Sequence, residues 1–391
     1  MRAIGMISGT SYDAIDVAAA EFANVGGETL WLEPLGALEI PYPEELREQI
    51  ADILPPHQTD IGQVCRLNAA LGHAFADAAS RALTELADGR ADLVVSHGQT
   101  VFHWIEDGLA LGTLQLGEPA WIAEQTGLPV LSDLRSADIA RGGQGAPLVP
   151  VFDALLLEPL AAPRAALNLG GIANLTVIRP DGSLLGYDVG PGNALIDAAV
   201  VALADMTCDT DGRLARSGRI RTDLLYALLD EPYYGASPPK STGKELFHWD
   251  YLRERLEQLP DEPPVADVVA TVTELTAWIV GVAAIRHGIT ELVCSGGGTR
   301  NPALMERLAA LGGGRWRVCT VDEYGVPAAA KEAYAFTLLG YLSWHGLPGS
   351  LPTATGALGP AILGSFTSGA QPLRLPKSAA TPPRRLRIQP G

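Results

Sequence analysis

Three times along this chain an apolar run ends on a cluster of small residues. RAIGMI (residues 2–7) meets Ser8, Gly9, Thr10 and Ser11; AALNL (165–169) meets Gly170 and Gly171; ELVC (291–294) meets Ser295 and Gly296 to Gly298. Glycine at such a point lets the backbone reach φ > 0 and aim successive N–H groups at one spot. After the first two stops the chain reads as a returning strand, residues 14–22 and 175–178. A third strand, 184–188, follows the turn at Pro180, Asp181 and Gly182. Two halves that each open with strand, glycine turn and strand predict a duplicated, two-lobed α/β fold.

The connecting segments agree with that reading. Thr59 and Asp60 offer an N-cap before a helical face at Ile61, Val64, Asn68, Leu71, Phe75, Ala78 and Ala82. A short strand at 92–96 then runs into His97, Gly98, Gln99 and Thr100. Gly190 to Asn193 precede an apolar helix at 194–206, and Asn301 with Pro302 provides the cap for a helix at 303–311. Residues 328–339 read as another helix. Residues 141–145, 159–163 and 260–264 read as hinges or surface loops. The expected division is an N-terminal lobe of residues 1–137 plus roughly 345–369, a C-terminal lobe of 138–344, and a Pro-rich basic tail of 370–391, flexible or draped on the surface.

The chain has 391 residues, with 28 basic against 45 acidic side chains and a net charge of −17. This argues against nucleic acid or an anionic membrane as a partner. Cys65, Cys208, Cys294 and Cys319 are widely spaced, which suggests neither a disulfide framework nor a zinc site. The start is not a signal peptide, and the most apolar window, 265–285, carries Asp267 and Glu274. The expected location is cytoplasmic. No P-loop, dinucleotide fingerprint or nucleophile elbow is present. His97 and His103, six residues apart, do not read as metal ligands.

Glycine turns that cradle phosphate with backbone dipoles suit so acidic a chain. Asp13 and Asp16 flank the first turn, where carboxylates can hold the waters of a Mg²⁺ ion bridging phosphates. Asp188 precedes the run VGPGN, a setting in which a carboxylate can take a proton from a bound hydroxyl or water. In isolation it also reads as a turn or capping Asp.

Taken together, the motifs resemble the anhydro-N-acetylmuramic acid kinases, a family with the actin-like sugar-kinase fold. The resemblance runs from residue 4 to about 369 and includes MISGTSYDAID, SHGQTVFH, LNLGGIANLTV, GYDVGPGNALID, DTDGRLARSG, PPKSTGKELF, CSGGGTRNPALM and VPAAAKEAYAFTLLGYL, in that order. It implies a two-lobed fold with a duplicated mixed-sheet core and an interdomain cleft. It also implies ATP and Mg²⁺ as cofactors, and a reaction in peptidoglycan recycling. That reaction opens a 1,6-anhydro bridge with water and phosphorylates the freed 6-oxygen, giving N-acetylmuramic acid 6-phosphate and ADP.

Carried over by position, Asp188 is the catalytic base. Gly9, Thr10, Ser11, Tyr12, Asp13, Ala14, Ile15 and Asp16 form the first phosphate hairpin, with Asp13 and Asp16 near the metal through water. Gly170 and Gly171 form the second hairpin, and Gly296, Gly297 and Gly298 the adenosine-side turn. His97, Gln99, Thr100, Asn174, Arg135 and Glu332 line the sugar, with the Arg135 fork suited to the lactyl carboxylate. Alternatively, Arg135 pairs with Asp133 or Asp138, and Glu332 is a surface acid.

The sequence departs from the family pattern at Ala14 (usually Gly), Val189 (usually Thr), Leu134 (commonly aromatic) and Lys244 (commonly Arg). These put sugar preference in doubt, and loss of the hydroxyl at 189 could lower turnover. The alternatives are a kinase for another anhydro sugar such as levoglucosan, or a non-catalytic actin-like nucleotide-binding protein. The latter needs neither a base at 188 nor the His97–Thr100 segment. A homodimer is the assembly considered, although nothing in the sequence fixes it.

Overall fold

A computed structural model describes residues 1–9, 12–24, 27–55, 57–238, 240–243, 246–377 and 381–389. Thr10, Ser11 and Lys244 therefore lie outside the described residues. The strands, in chain order, are β1 Arg2–Ser8, β2 Ala14–Asn24, β3 Thr29–Pro41, β4 Leu93–Glu106, β5 Leu109–Leu116, β6 Val130–Ser132, β7 Arg164–Leu169, β8 Ile172–Ile178, β9 Leu184–Pro191, β10 Glu291–Ser295, β11 Arg317–Thr320, β12 Ser365–Thr367 and β13 Arg385–Ile388. They divide between two compact units, Met1–Leu156 with Tyr324–Gly391, and Leu157–Glu323. The sequence had suggested divisions at 137/138 and 344/345.

The core of the first sheet runs β3-β2-β1-β4-β6, and the second sheet runs β9-β8-β7-β10-β11. In each, three antiparallel strands are followed by parallel additions on the far side of the first strand. The strand–turn–strand repeat thus extends to the whole central sheet of both units.

In the first unit, β1 is buried on both faces, as its unbroken apolar run requires. Ile4 and Met6 share a core with Leu71, Phe75 and Ala79 of the helix Ile61–Glu85. On the other face Gly5 lies against the helix Lys331–Trp344. A Cβ there would stand 2.4 Å from the Ala333 carbonyl, so only glycine lets that helix seat. Asp60 caps the helix Ile61–Glu85 through a reciprocal box with Gln63. Ile61, assigned to its buried face from sequence, is instead 85% exposed, because the packed face begins at Val64 and is fully buried only from Leu67.

Three further features depart from the sequence reading. β3 and the helix Glu44–Ile53 were not anticipated. The strand expected at 92–96 continues to Glu106, so His97 to Thr100 lie within it. The tail does not simply drape: Arg385–Ile388 pairs in parallel with β3, and Leu386 is 1% exposed.

The second unit packs its sheet against the helices Val265–His287, Ala194–Ala204 and Pro302–Gly312. Among the described residues Val265–His287 is the helix long and apolar enough to cross a membrane, but most of its apolar window is buried inside this core. Asn301 caps the last of these helices by accepting from the Leu304 N–H, with Pro302 in its first turn, as the sequence predicts.

Candidate active site

In the first unit the pairing of β1 with β4 slips between Met6–Ser96 and Ser8–Gln99, so β4 holds one extra residue there. Gly98 accommodates the bulge at φ +72°. Bulges of this kind re-aim neighbouring side chains. Gln99 is turned to accept from the Ser8 hydroxyl at 2.5 Å and to donate to the Gly9 carbonyl at 3.3 Å. It thereby ties the His97–Thr100 segment to Ser8 and Gly9. Tyr12 turns that hairpin at φ +43°, its N–H donating to Gly9 O at 3.1 Å. Asp13 is exposed and Asp16 half-buried on either side of the start of β2.

His97 is buried and meets the Gly98 carbonyl through Nδ1 at 2.9 Å. Its Nε2 receives the Arg135 Nε–H at 3.0 Å. A guanidinium only donates, so Nε2 is the acceptor and the proton sits on Nδ1. Burial, reinforced by the nearby Arg135 charge, pushes the His97 pKa down to about 3. Arg135 also donates from Nη1 to the Gly145 carbonyl at 2.8 Å. Burial lowers its pKa to about 10 while Glu332 opposes the shift, so it remains a cation at neutral pH.

The alternative pairing of Arg135 is not seen among the described residues. Asp133 accepts from the Ser136 hydroxyl, and Asp138 from the Gly145 N–H and Thr355 hydroxyl. Glu332 is half-buried in the first turn of Lys331–Trp344, next to Lys331, whose ammonium meets buried Asp153 at 2.6 Å. His97, Arg135 and Glu332, separated by up to 235 positions in sequence, thus form one group. Thr100 accepts from the Gln115 side chain at 3.3 Å.

In the second unit a register row crosses four strands: Ser295 of β10, Asn168 of β7, Asn174 of β8 and Asp188 of β9. Residues directly opposite share a face. Asp188 does not end its strand, as expected from sequence; β9 bulges after it and continues to Pro191. Its N–H donates to Lys240 O at 3.1 Å, its carbonyl accepts from the Tyr233 hydroxyl at 2.7 Å, and its Oδ2 accepts from the Thr242 N–H at 3.1 Å.

Beyond the bulge the chain folds onto the second glycine turn. Gly192 and Ala194 donate to Gly171 O, and Asn193 donates to Gly170 O. A Cβ on Gly192 would lie 2.4 Å from the Gly170 carbonyl, which makes glycine obligatory there. The third turn joins the same place, since Gly298 lies against Leu169 and the Asn193 amide. Val189 is 4% exposed in the apolar core. A threonine at that position would place its hydroxyl among these buried apolar side chains.

Sequence reading missed Asn168, Tyr233 and the bonding of Thr242 to Asp188. A polar Asn inside the buried run AALNL was the available signal for the first. Among the described residues no group of three or more His, Cys, Asp or Glu side chains could hold a metal directly.

Residues 1–369 match the family model described as anhydro-N-acetylmuramic acid kinase. A protein named anhydro-N-acetylmuramic acid kinase from Streptomyces coelicolor is 54% identical over 393 residues, covering 100% of both chains. Another of that name, from Rhodococcus erythropolis, is 49% identical over 398 residues, again covering 100% of both. Among solved structures, a ROK family glucokinase from Streptomyces griseus in complex with glucose and AMPPNP is similar over 85% of this chain and 96% of its own, at 14% identity and a TM-score of 0.35.

Proposed function

Because this chain belongs to the anhydro-N-acetylmuramic acid kinase family, we propose that its residues convert 1,6-anhydro-N-acetylmuramic acid, ATP and water into N-acetylmuramic acid 6-phosphate and ADP. The enzyme is an anhydro-sugar kinase, and the roles of its residues follow from the chemistry. Asp188 accepts one proton from a water molecule as that oxygen bonds to the anomeric carbon. The bond from this carbon to the 6-oxygen breaks, and the 6-oxygen bonds to the γ-phosphorus. The bond from phosphorus to the β,γ-bridging oxygen then breaks, leaving ADP. Phosphoryl capture of the departing oxygen replaces the acid of a glycosidase, so one carboxylate base suffices.

The observation that carries this reading is the seat of Asp188. Its carboxylate is anchored by the Thr242 N–H and its main chain by Tyr233 and Lys240. The chain beyond it is stitched to the second glycine turn, whose Gly170 and Gly171 carbonyls accept from the N–H groups of Gly192, Asn193 and Ala194. Held in this way, a base loses little orientational entropy when it acts.

In the first unit Arg135 has two of its nitrogens fixed by His97 and Gly145, which orients the rest of the fork for the sugar carboxylate. Uncharged His97 orients Arg135 without competing for an anion. Glu332 adds an acceptor for sugar hydroxyls. The glycine hairpins supply N–H donors to the phosphates of ATP.

Mg²⁺ fits this donor set through water. With no cluster to ligate it directly among the described residues, the carboxylates of Asp13 and Asp16 would hold its waters. When bound, it supplies charge neutralisation to the phosphates.

A coupled ADP-release assay with purified 1,6-anhydro-N-acetylmuramic acid tests the proposal. ADP and 6-phosphorylated sugar should appear in equal amounts, only with sugar and Mg²⁺ both present. ADP release without phosphorylated sugar would overturn it.

A further inference from the structure

On the face of β9 opposite Asp188, the second unit carries a half-open pocket of about 290 Å³. Tyr187 and Val189, which flank Asp188 in sequence and belong to the apolar core, contribute its floor. Tyr234 and Trp278 add aromatic walls, and Lys240 and Arg286 add two cations. Nothing in the proposed kinase reaction uses this space.

Its electrostatics are unusual for the molecule. The chain carries a net charge of −17, yet neither Lys240 nor Arg286 makes an ion pair among the described residues. The Lys240 ammonium donates to the carbonyls of Tyr233 at 2.8 Å and Tyr234 at 3.4 Å and lies 4.3 Å from the Tyr233 ring centre. Those are dipolar and π partners rather than a counter-ion. Burial, and after it the Arg286 charge, lower the Lys240 pKa, and the Asp188 carboxylate opposes them without cancelling them. At the rim Trp278 is 42% exposed, leaving an indole in contact with water.

Two cations beside an aromatic-lined hollow favour an anion with a flat apolar body. The charged head offsets the mutual repulsion of Lys240 and Arg286, and the ring system covers Trp278 and fills the floor. The volume admits one or two fused rings but not a nucleoside triphosphate. We propose that this cavity is a binding site for a small aromatic carboxylate.

The test is calorimetric titration of the full chain with 2-naphthoate, without sugar or nucleotide, so its failure leaves the kinase reading untouched. Saturable one-to-one binding is expected, with Kd at or below ~1 mM for a ligand of this size. Uncharged 2-naphthamide should bind at least ~10-fold more weakly, as should naphthoate to Arg286→Ala. Arg286 is exposed and makes no ion pair among the described residues, so that variant keeps the fold. Val282→Trp, which places an indole at the exposed mouth, should abolish binding. Absence of saturable binding, equal affinity for the amide, or unchanged affinity in both variants would overturn the proposal. So would failure to bind in a sample shown by sedimentation to be a dimer that covers this face.

Discussion

His97 shows how one side chain can be committed to a single protonation state. Both ring nitrogens are engaged, one with a carbonyl and the other with an arginine that can only donate. A proton on Nε2 would place two cations in contact in a buried site. The folded pKa is therefore depressed, to about 3 from an unfolded value of 6.5. Between those values the unfolded chain binds the additional proton, so the associated stability is complete above about pH 6.5 and is lost as pH falls toward 3. Going from pH 7 to pH 5 should cost about 2 kcal/mol through this residue. Thermal unfolding of His97→Gln, whose amide oxygen can still accept from Arg135, should show a shallower fall in Tm over that range than the parent protein. Identical pH slopes would contradict the assignment.

Much of this group was legible residue by residue, because His97, Gln99, Arg135 and Glu332 all sit in ordered motifs. Their mutual bonding was not, since a guanidinium choosing an imidazole over nearby Asp133 or Asp138 depends on tertiary placement.

At the scale of elements, the informative features are those that break regular pairing. β4 and β9 each outran their sequence-predicted ends because a bulge lets a strand continue past glycine. Periodicity cannot register the extra residue and reads the glycine as a stop. β3 was missed for a related reason. Pro34 and Gly36 interrupt its alternation, and the structure absorbs them by slipping register where Ala19 and Ala20 pair with Gly36 and Pro34.

The tail shows composition misleading in the other direction. A proline-rich, basic stretch beyond the family match ends as β13, covering the otherwise open edge of β3. Arg384 pairs with Glu28 at its start, and Leu386 is buried at its centre. Leu386→Ala should cost about 2 kcal/mol, measured by urea denaturation, because the site is buried but at a sheet edge that can relax. A cost below experimental error would mean that β13 contributes nothing to the first unit. A protein truncated after Gly369 should also aggregate more readily, since an exposed strand edge is a template for pairing.

For the whole molecule, the sequence disclosed the duplication through its strand–glycine turn–strand repeats, and the structure extends it to five strands in matching order in each unit. That order was out of reach of residue patterns, because the parallel additions β4, β6, β10 and β11 are joined through intervening helices of different length. Net charge bears on what phosphate sites in so acidic a chain can be made of, since clustered Lys and Arg are scarce. In the proposed mechanism they are glycine turns; Gly192 bonds to Gly171, and Gly298 lies against Leu169, the residue before that turn.

The central claim is that Asp188 alone removes the proton from the attacking water. Steady-state turnover of Asp188→Asn with 1,6-anhydro-N-acetylmuramic acid and saturating ATP tests it most directly. The asparagine keeps an oxygen for the Thr242 N–H, so the fold and both KM values should persist while kcat falls ~10²–10⁴-fold. A folded Asp188→Asn protein turning over at close to the parent rate would contradict the account.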